Sequence, residues 1–306
     1  MESRQSRLRI IAAFAAVYII WGSTYLAIRL AVESIPPFFM VGARFVLAGA
    51  GLYVWLRVRG AAKPTLIQWK STAAVGAMLL LVGNGGVSWA EQFVPSGVTA
   101  LIIAITPLWF VVFDWWNRGV KPTTSIVGGL ILGTVGVIIL IDPVEFVGGE
   151  QVDLLGAFVL LVATMSWVWG SLYSRRAEIP SSPLLATAME MLTGGILLMV
   201  LSMASGEMFR MDLAAATNQS WLALLYLVIF GSLIGFTSYI WLLKNVQPAL
   251  VSTYAYVNPV IAVFLGWLIA AEPLGGRILF AAAIIVGAVA LITTFNAMRK
   301  PGGQEH

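Results

Sequence analysis

The chain has 306 residues, 59% of them hydrophobic and only 10% charged, with 12 Trp, 30 Gly and no Cys. A soluble domain carries about 25% charged residues, so a single aqueous globule cannot hide this much apolar surface, and the missing Cys excludes disulfide or thiol chemistry. The net charge of +4 and pI of about 9.5 come from Arg and Lys placed between apolar runs, which reports membrane topology and not nucleic-acid binding.

Runs of roughly 20 apolar residues, the length that crosses hydrocarbon, recur near 10–31, 36–56, 71–92, 96–117, 124–141, 154–174, 183–205, 220–243, 249–271 and 277–297. Backbone polar groups in lipid need internal partners and the alternation of barrel strands is missing, so ten transmembrane helices are expected. The first span follows Arg4, Arg7 and Arg9 as a signal peptide would, but it is too long for one and is read as a retained helix. It carries WGSTY (Trp21 to Tyr25), with Tyr18, Trp21, Tyr25 and Arg29 on one stripe. In the second span Pro37 precedes Arg44 by seven residues. The third places Asn84, Ser88 and Glu91 on one face, with Glu91 near enough to the surface to be solvated. The fourth holds Thr106-Pro107 at mid-span and Asp114 as a helix-end charge near Arg118. An acidic connection follows, with Asp142, Glu145, Glu150 and Asp153. The sixth span carries Trp167 and WGSLY (Trp169 to Tyr173), and in the seventh Pro183 precedes Glu190 by seven residues. The ninth has Tyr254 four residues before Asn258-Pro259, and the only His, His306, ends the chain.

With the N-terminus inside, fourteen Arg and Lys fall in cytoplasmic segments, and only Arg210 and Arg277 fall outside. That asymmetry predicts cytoplasmic N- and C-termini and a multi-pass protein of the plasma (cytoplasmic) membrane. The two Trp-Gly-Ser motifs lie 148 positions apart, Arg44 and Glu190 lie 146 apart, and Pro107 and Pro259 lie 152 apart. The expected fold is therefore an all-α membrane protein of two five-helix repeats, 10–141 and 154–297. Five is odd, so the second repeat enters the membrane inverted. Inverted repeats with interrupted helices mark secondary transporters that hold substrate near the midplane.

Ten spans as five plus five, WGS in the first helix and YAYVNPVIAVFLGW (Tyr254 to Trp267) in the ninth resemble the drug/metabolite transporter superfamily, in its EamA-type branch, over residues 10–297. The VNP segment followed by small residues and Glu272 is the most specific part of the match. The resemblance, which extends to bacterial amino-acid and metabolite exporters of the YddG type, implies a ten-helix basket with a central cavity, export of small metabolites and no ATP. It names no substrate.

The candidate substrate-binding residues are Trp21, Arg44, Asn84, Thr106, Trp169, Glu190, Tyr254 and Asn258, with Pro107 and Pro259 as hinges. Proline in a helix removes a hydrogen bond, and the freed backbone is tolerated where it lines a cavity. Aromatic faces suit amphipathic metabolites and attract ammonium groups. Arg44 and Glu190 are ionisable groups at repeat-equivalent positions inside the bilayer. They are expected either to form a structural ion pair, or to meet a substrate's carboxylate and ammonium, Glu190 then being the candidate proton carrier. A small-molecule substrate, the lipid bilayer and a coupling proton are thus the expected partners, with no cofactor. An intramembrane enzyme is disfavoured because no span holds a His, and no zinc motif or Walker A sequence occurs. A facilitative channel, a permease for other metabolites and a non-transport membrane protein are the competing readings.

Overall fold

The computed structural model describes residues 2–94, 99, 102–119, 121–141, 153–210, 215–270 and 275–298. The side chains of Tyr25, Arg29 and Arg118, the acidic stretch 142–150, Glu272 and His306 lie outside the described residues. Among the described residues, ten helical rods make up nearly all of the fold. They are α1 (Glu2–Val32), α2 (Pro37–Val58), α3 (Leu66–Ala90), α4 (Thr106–Arg118), α5 (Thr124–Ile141), α6 (Leu154–Ser174), α7 (Pro183–Ala204), α8 (Asn218–Asn245), α9 (Tyr254–Ala270) and α10 (Gly276–Met298). Six of them, α1, α2, α3, α6, α7 and α8, are long and apolar enough to cross a membrane, and α5 and α10 carry shorter apolar stretches. The chain is all-helical as expected, with six such spans among the described residues where ten were expected.

Helix starts follow local chemistry. The Thr65 side chain accepts from Gln68 N while Gln68 returns a bond to the Thr65 backbone, closing a capping box on α3. Ser182 and Thr217 cap α7 and α8 with their hydroxyls. Both α2 and α7 are 22 residues long and open on proline, where a missing N–H costs no hydrogen bond. The first turn of α2 has no acidic residue of its own. Its Phe38 and Phe39 amides donate instead to Glu207 Oε2, at 3.0 and 3.2 Å, from the turn after α7.

The most extensive helix–helix contact joins α2 to α7. Small residues set it, as they do where helices pack without a hydrophobic drive. A Cβ on Gly49 would lie 2.5 Å from the Leu192 amide nitrogen, and one on Gly195 2.7 Å from that of Val46. Gly42 faces Met199 across the same seam. These contacts advance along α2 as they retreat along α7, so the two helices are antiparallel.

Two helices change winding midway. α3 is a π-helix over Ala77–Asn84 and α8 over Leu227–Phe236. A π segment widens the helix and occurs often at functional sites. These two occupy corresponding places in the halves and border the central cavity. Nothing in the hydropathy pattern announces them.

Candidate transport cavity

A cavity of about 800 Å³, its open mouth included, lies between α1, α2, α3, α4, α6, α8 and α9. Its walls come from Thr24 and Ile28 late in α1, Arg44 and Phe45 early in α2, Asn84 and Val87 late in α3, and Ala163 and Thr164 in α6. The mouth therefore faces the end of the bundle where α1 finishes and α2 begins, away from the N-terminus.

Aromatic rings make the floor. Trp21, Trp167, Phe236 and Tyr254 line it, and Tyr239 closes it from beneath. The Trp21 ring lies 5.7 Å from that of Trp167, 5.0 Å from Tyr239 and 5.1 Å from Tyr254, centre to centre. These separations are those of favourable tilted and edge-to-face pairs. The polar tips are also satisfied. Trp21 Nε1 donates to the Gly231 carbonyl at 3.2 Å and Trp167 Nε1 to the Tyr239 hydroxyl at 2.8 Å. Tyr239 is also bonded to the Ser171 hydroxyl at 2.6 Å. Below this layer, Tyr18 and Thr253 share a 2.6 Å hydrogen bond between α1 and the start of α9. Gly22 lets α1 reach α9, since a Cβ there would fall 2.6 Å from the Ile261 side chain.

Arg44 is the charged feature of the wall. It is 4% exposed, donates Nε–H to the Ser232 hydroxyl at 2.7 Å, and lies 4.8 Å from the centre of the Phe45 ring. No acidic side chain pairs with it among the described residues. A guanidinium has five N–H donors, and this one borders open cavity space beside Thr24. Such a group suits a ligand carboxylate, where charge-assisted hydrogen bonds are strongest.

The other predicted residues divide. Trp21, Asn84, Thr106, Tyr254 and Asn258 all line the cavity. Asn258 is buried; with its amide nitrogen turned toward α1, it donates to the Tyr18 carbonyl at 3.3 Å and the Tyr254 carbonyl at 3.1 Å. Thr106 donates to the Ile103 carbonyl. The two prolines differ. Pro259 lies inside α9, whereas Pro107 occupies the first turn of a helix that restarts after a turn at Ala104 and Ile105.

Trp169 does not reach the cavity. It is 43% exposed and packs outward against Phe113 and Trp116. Two residues along a helix is about 200° of rotation, so Trp167 takes the inward position on α6. Glu190 is also absent from the lining. It is fully buried between α7 and its neighbours, and neither carboxylate oxygen has a hydrogen-bond partner. The expected Arg44–Glu190 pair is not formed. In the antiparallel register of the seam Glu190 is level with Gly51, seven residues from Arg44, which is roughly 10 Å along the axis. Conversely Glu91, expected to be solvated away from the site, lines the cavity mouth. Asp114 shares a small cleft with Arg175 and Arg176 at the end of α6, in keeping with a helix-end charge.

The EamA-like transporter family model matches the chain twice, over residues 8–142 and 154–294. The chain is 41% identical to the uncharacterized inner membrane transporter YedA of Escherichia coli (strain K12), over 94% of this chain and 91% of that one. It is 25% identical to the uncharacterized transporter YoaV of Bacillus subtilis (strain 168), over 96% and 99% of the two chains. A solved structure 21% identical in sequence superposes with a TM-score of 0.77, covering 95% of this chain and 99% of its own, which shows a shared fold. The chain belongs to the EamA-like transporter family. It is a multi-pass plasma-membrane transporter of a small-molecule substrate, and its family and relatives are transporters, not enzymes.

Proposed function

We propose that this protein is a secondary transporter of zwitterionic metabolites, amino acids foremost, and that it exports them by alternating access. The observation that carries the substrate class is the charge pattern of the cavity. Among its described lining residues are one basic side chain, Arg44, and one acidic side chain, Glu91, and the remainder are aromatic, small polar or apolar. A solute with one carboxylate, one ammonium and an apolar or aromatic side chain complements such a wall. A multiply charged phosphate does not, because Arg44 alone would answer it.

The carrier reading is supported by the aromatic floor, which closes one end of the cavity while the other stays open. Two inverted halves, 10–141 and 154–297, exchange these roles about the helices bearing Pro107 and Pro259. The Arg and Lys distribution supports cytoplasmic termini, so the open mouth faces the outside in this conformation.

Exchange in proteoliposomes tests the proposal. Vesicles loaded with unlabelled amino acids are expected to take up labelled members well above protein-free vesicles, by counterflow that saturates. Folded protein that gives no counterflow with any amino acid would remove this substrate class. Flux that neither saturates nor responds to internal substrate would indicate a channel.

A further inference from the structure

The cavity makes no use of Glu190, yet a fully buried carboxyl group with no hydrogen-bond partner is costly and calls for an explanation. Its surroundings offer little. Its helix packs closely, since a Cβ on Gly76 of α3 would lie 2.6 Å from the Glu190 backbone carbonyl, and that contact offers the carboxyl group no donor. The end of α8 that packs against α7 carries Lys244, without an ion-pair contact to Glu190. An ionised carboxylate held here would lack the donors that offset the loss of water, at a cost of several kcal/mol. The uncharged acid is the form this packing accommodates.

The repeat supplies the second argument. Arg44 and Glu190 each follow the proline that opens a 22-residue helix by seven residues, one on α2 and one on α7. Each also neighbours the helix that changes to π winding in the opposite half. The Arg44 side chain bonds Ser232 of the α8 π segment, and the backbone carbonyl of Glu190 faces Gly76, just before the α3 π segment. In alternating access between inverted halves, an outer-cavity position in one conformation has its counterpart in the inner cavity of the other. Arg44 lines the cavity that is open here. Glu190 is then the position that meets water when the end bearing the termini opens.

We propose that Glu190 is a proton-binding site, separate from the substrate cavity, that is occupied in the present conformation and vacated when the opposite end opens. The carboxyl O–H bond breaks as water reaches the side chain, the proton passes to that water, and the carboxylate left behind faces Lys244. Closing that end again requires a proton from the same side. The pH at the end bearing the termini therefore sets the balance of conformations, and no proton need cross the membrane. This inference rests on the alternating-access reading, but not on the identity of the substrate.

The sequence makes the test direct, because the chain has no Cys and a single introduced thiol reports one site. Val87→Cys in the cavity wall is to be labelled with a membrane-impermeant maleimide in nanodiscs, without substrate, between pH 6 and pH 9. Its rate is divided by that of Ser181→Cys, an exposed position in the loop before α7, which removes the intrinsic pH dependence of the thiol. Ionisation of Glu190 favours the conformation that closes the outer cavity, so the ratio is expected to fall about threefold or more as pH rises. Adding Glu190→Gln, which has no proton to lose, is expected to make the ratio flat. Adding Lys244→Gln instead removes the cation that favours the carboxylate, and the fall is expected to move to higher pH. That shift remains a test if Glu190→Gln does not accumulate. A ratio already flat without Glu190→Gln, or a fall that persists with it, overturns the proposal. Counterflow is measured in parallel on the protein without an introduced cysteine. Counterflow with a flat ratio leaves transport standing without the proton site. A pH-dependent ratio without amino-acid counterflow removes the substrate class alone.

Discussion

Arg44 on α2 and Glu190 on α7 stand at the same place in two copies of one pattern, and the fold treats them oppositely. Arg44 has a hydroxyl partner, an aromatic neighbour and open space before it. Glu190 has no hydrogen-bond partner and no space at all. The difference lies in the surroundings, because both helices are 22 residues long, begin on proline and pack along one glycine-lined seam. Matching positions in the sequence thus have different surroundings, one beside open cavity space and the other fully enclosed.

The largest effect that would sharpen this contrast is expected from Arg44→Ala. Loss of a charge-assisted contact of about 1.5–3 kcal/mol is expected to reduce amino-acid counterflow roughly tenfold or more, and Arg44→Lys is expected to restore little, since an ammonium does not reproduce the planar fork. Counterflow at the unmodified level in Arg44→Ala would remove the carboxylate subsite. The charge-swapped double variant, Arg44→Glu with Glu190→Arg, is expected to be no better than either single change, because the two side chains do not meet. Rescue by the swap, read as flux per folded carrier, would break the contrast by placing them together in another conformation.

A smaller loss is expected from Asn258→Ala. It removes two hydrogen bonds to the α1 and α9 backbone, each contributing about 0.5–1.5 kcal/mol, and a fall of roughly threefold to tenfold in counterflow with protein retained in the membrane would fit. Unchanged kinetics would remove Asn258 from the site. The smallest effect is expected on α6, where the outward Trp169→Ala should change counterflow less than about twofold, as surface changes commonly do. Trp167→Ala, which opens the aromatic floor, should exceed it. An equal response from both would mean that the inward and outward faces of α6 have been misassigned.

Much of this was legible in the sequence. The apolar runs pointed to the helices and WGSTY and WGSLY to the duplication; Asn258, Tyr254 and Thr106 were singled out beside the proline kinks, Trp21 in the repeated motif at mid-span, and Asn84 deep in the third span. The failures share a physical origin, namely that equivalence in sequence carries no sense of depth. Arg44 and Glu190 were expected to approach because their positions match, but each lies seven residues into one of two antiparallel helices, and the register leaves them roughly 10 Å apart along the seam. Trp169 was favoured over Trp167 because it belongs to the repeated motif, while helical phase, unreadable from the motif alone, turns it outward. Glu91 was set aside as a surface charge, and only the mouth of the cavity reveals it as lining. The π segments left no trace beyond the glycines of Val82-Gly83-Asn84-Gly85-Gly86 and Gly231-Ser232, since one extra residue per turn leaves hydropathy unchanged.

The glycine seam between α2 and α7 also ties the two stretches matched by the family model to each other. Residues 8–142 alone would leave the small-residue face of α2 without its antiparallel partner, so neither stretch is expected to fold stably without the other.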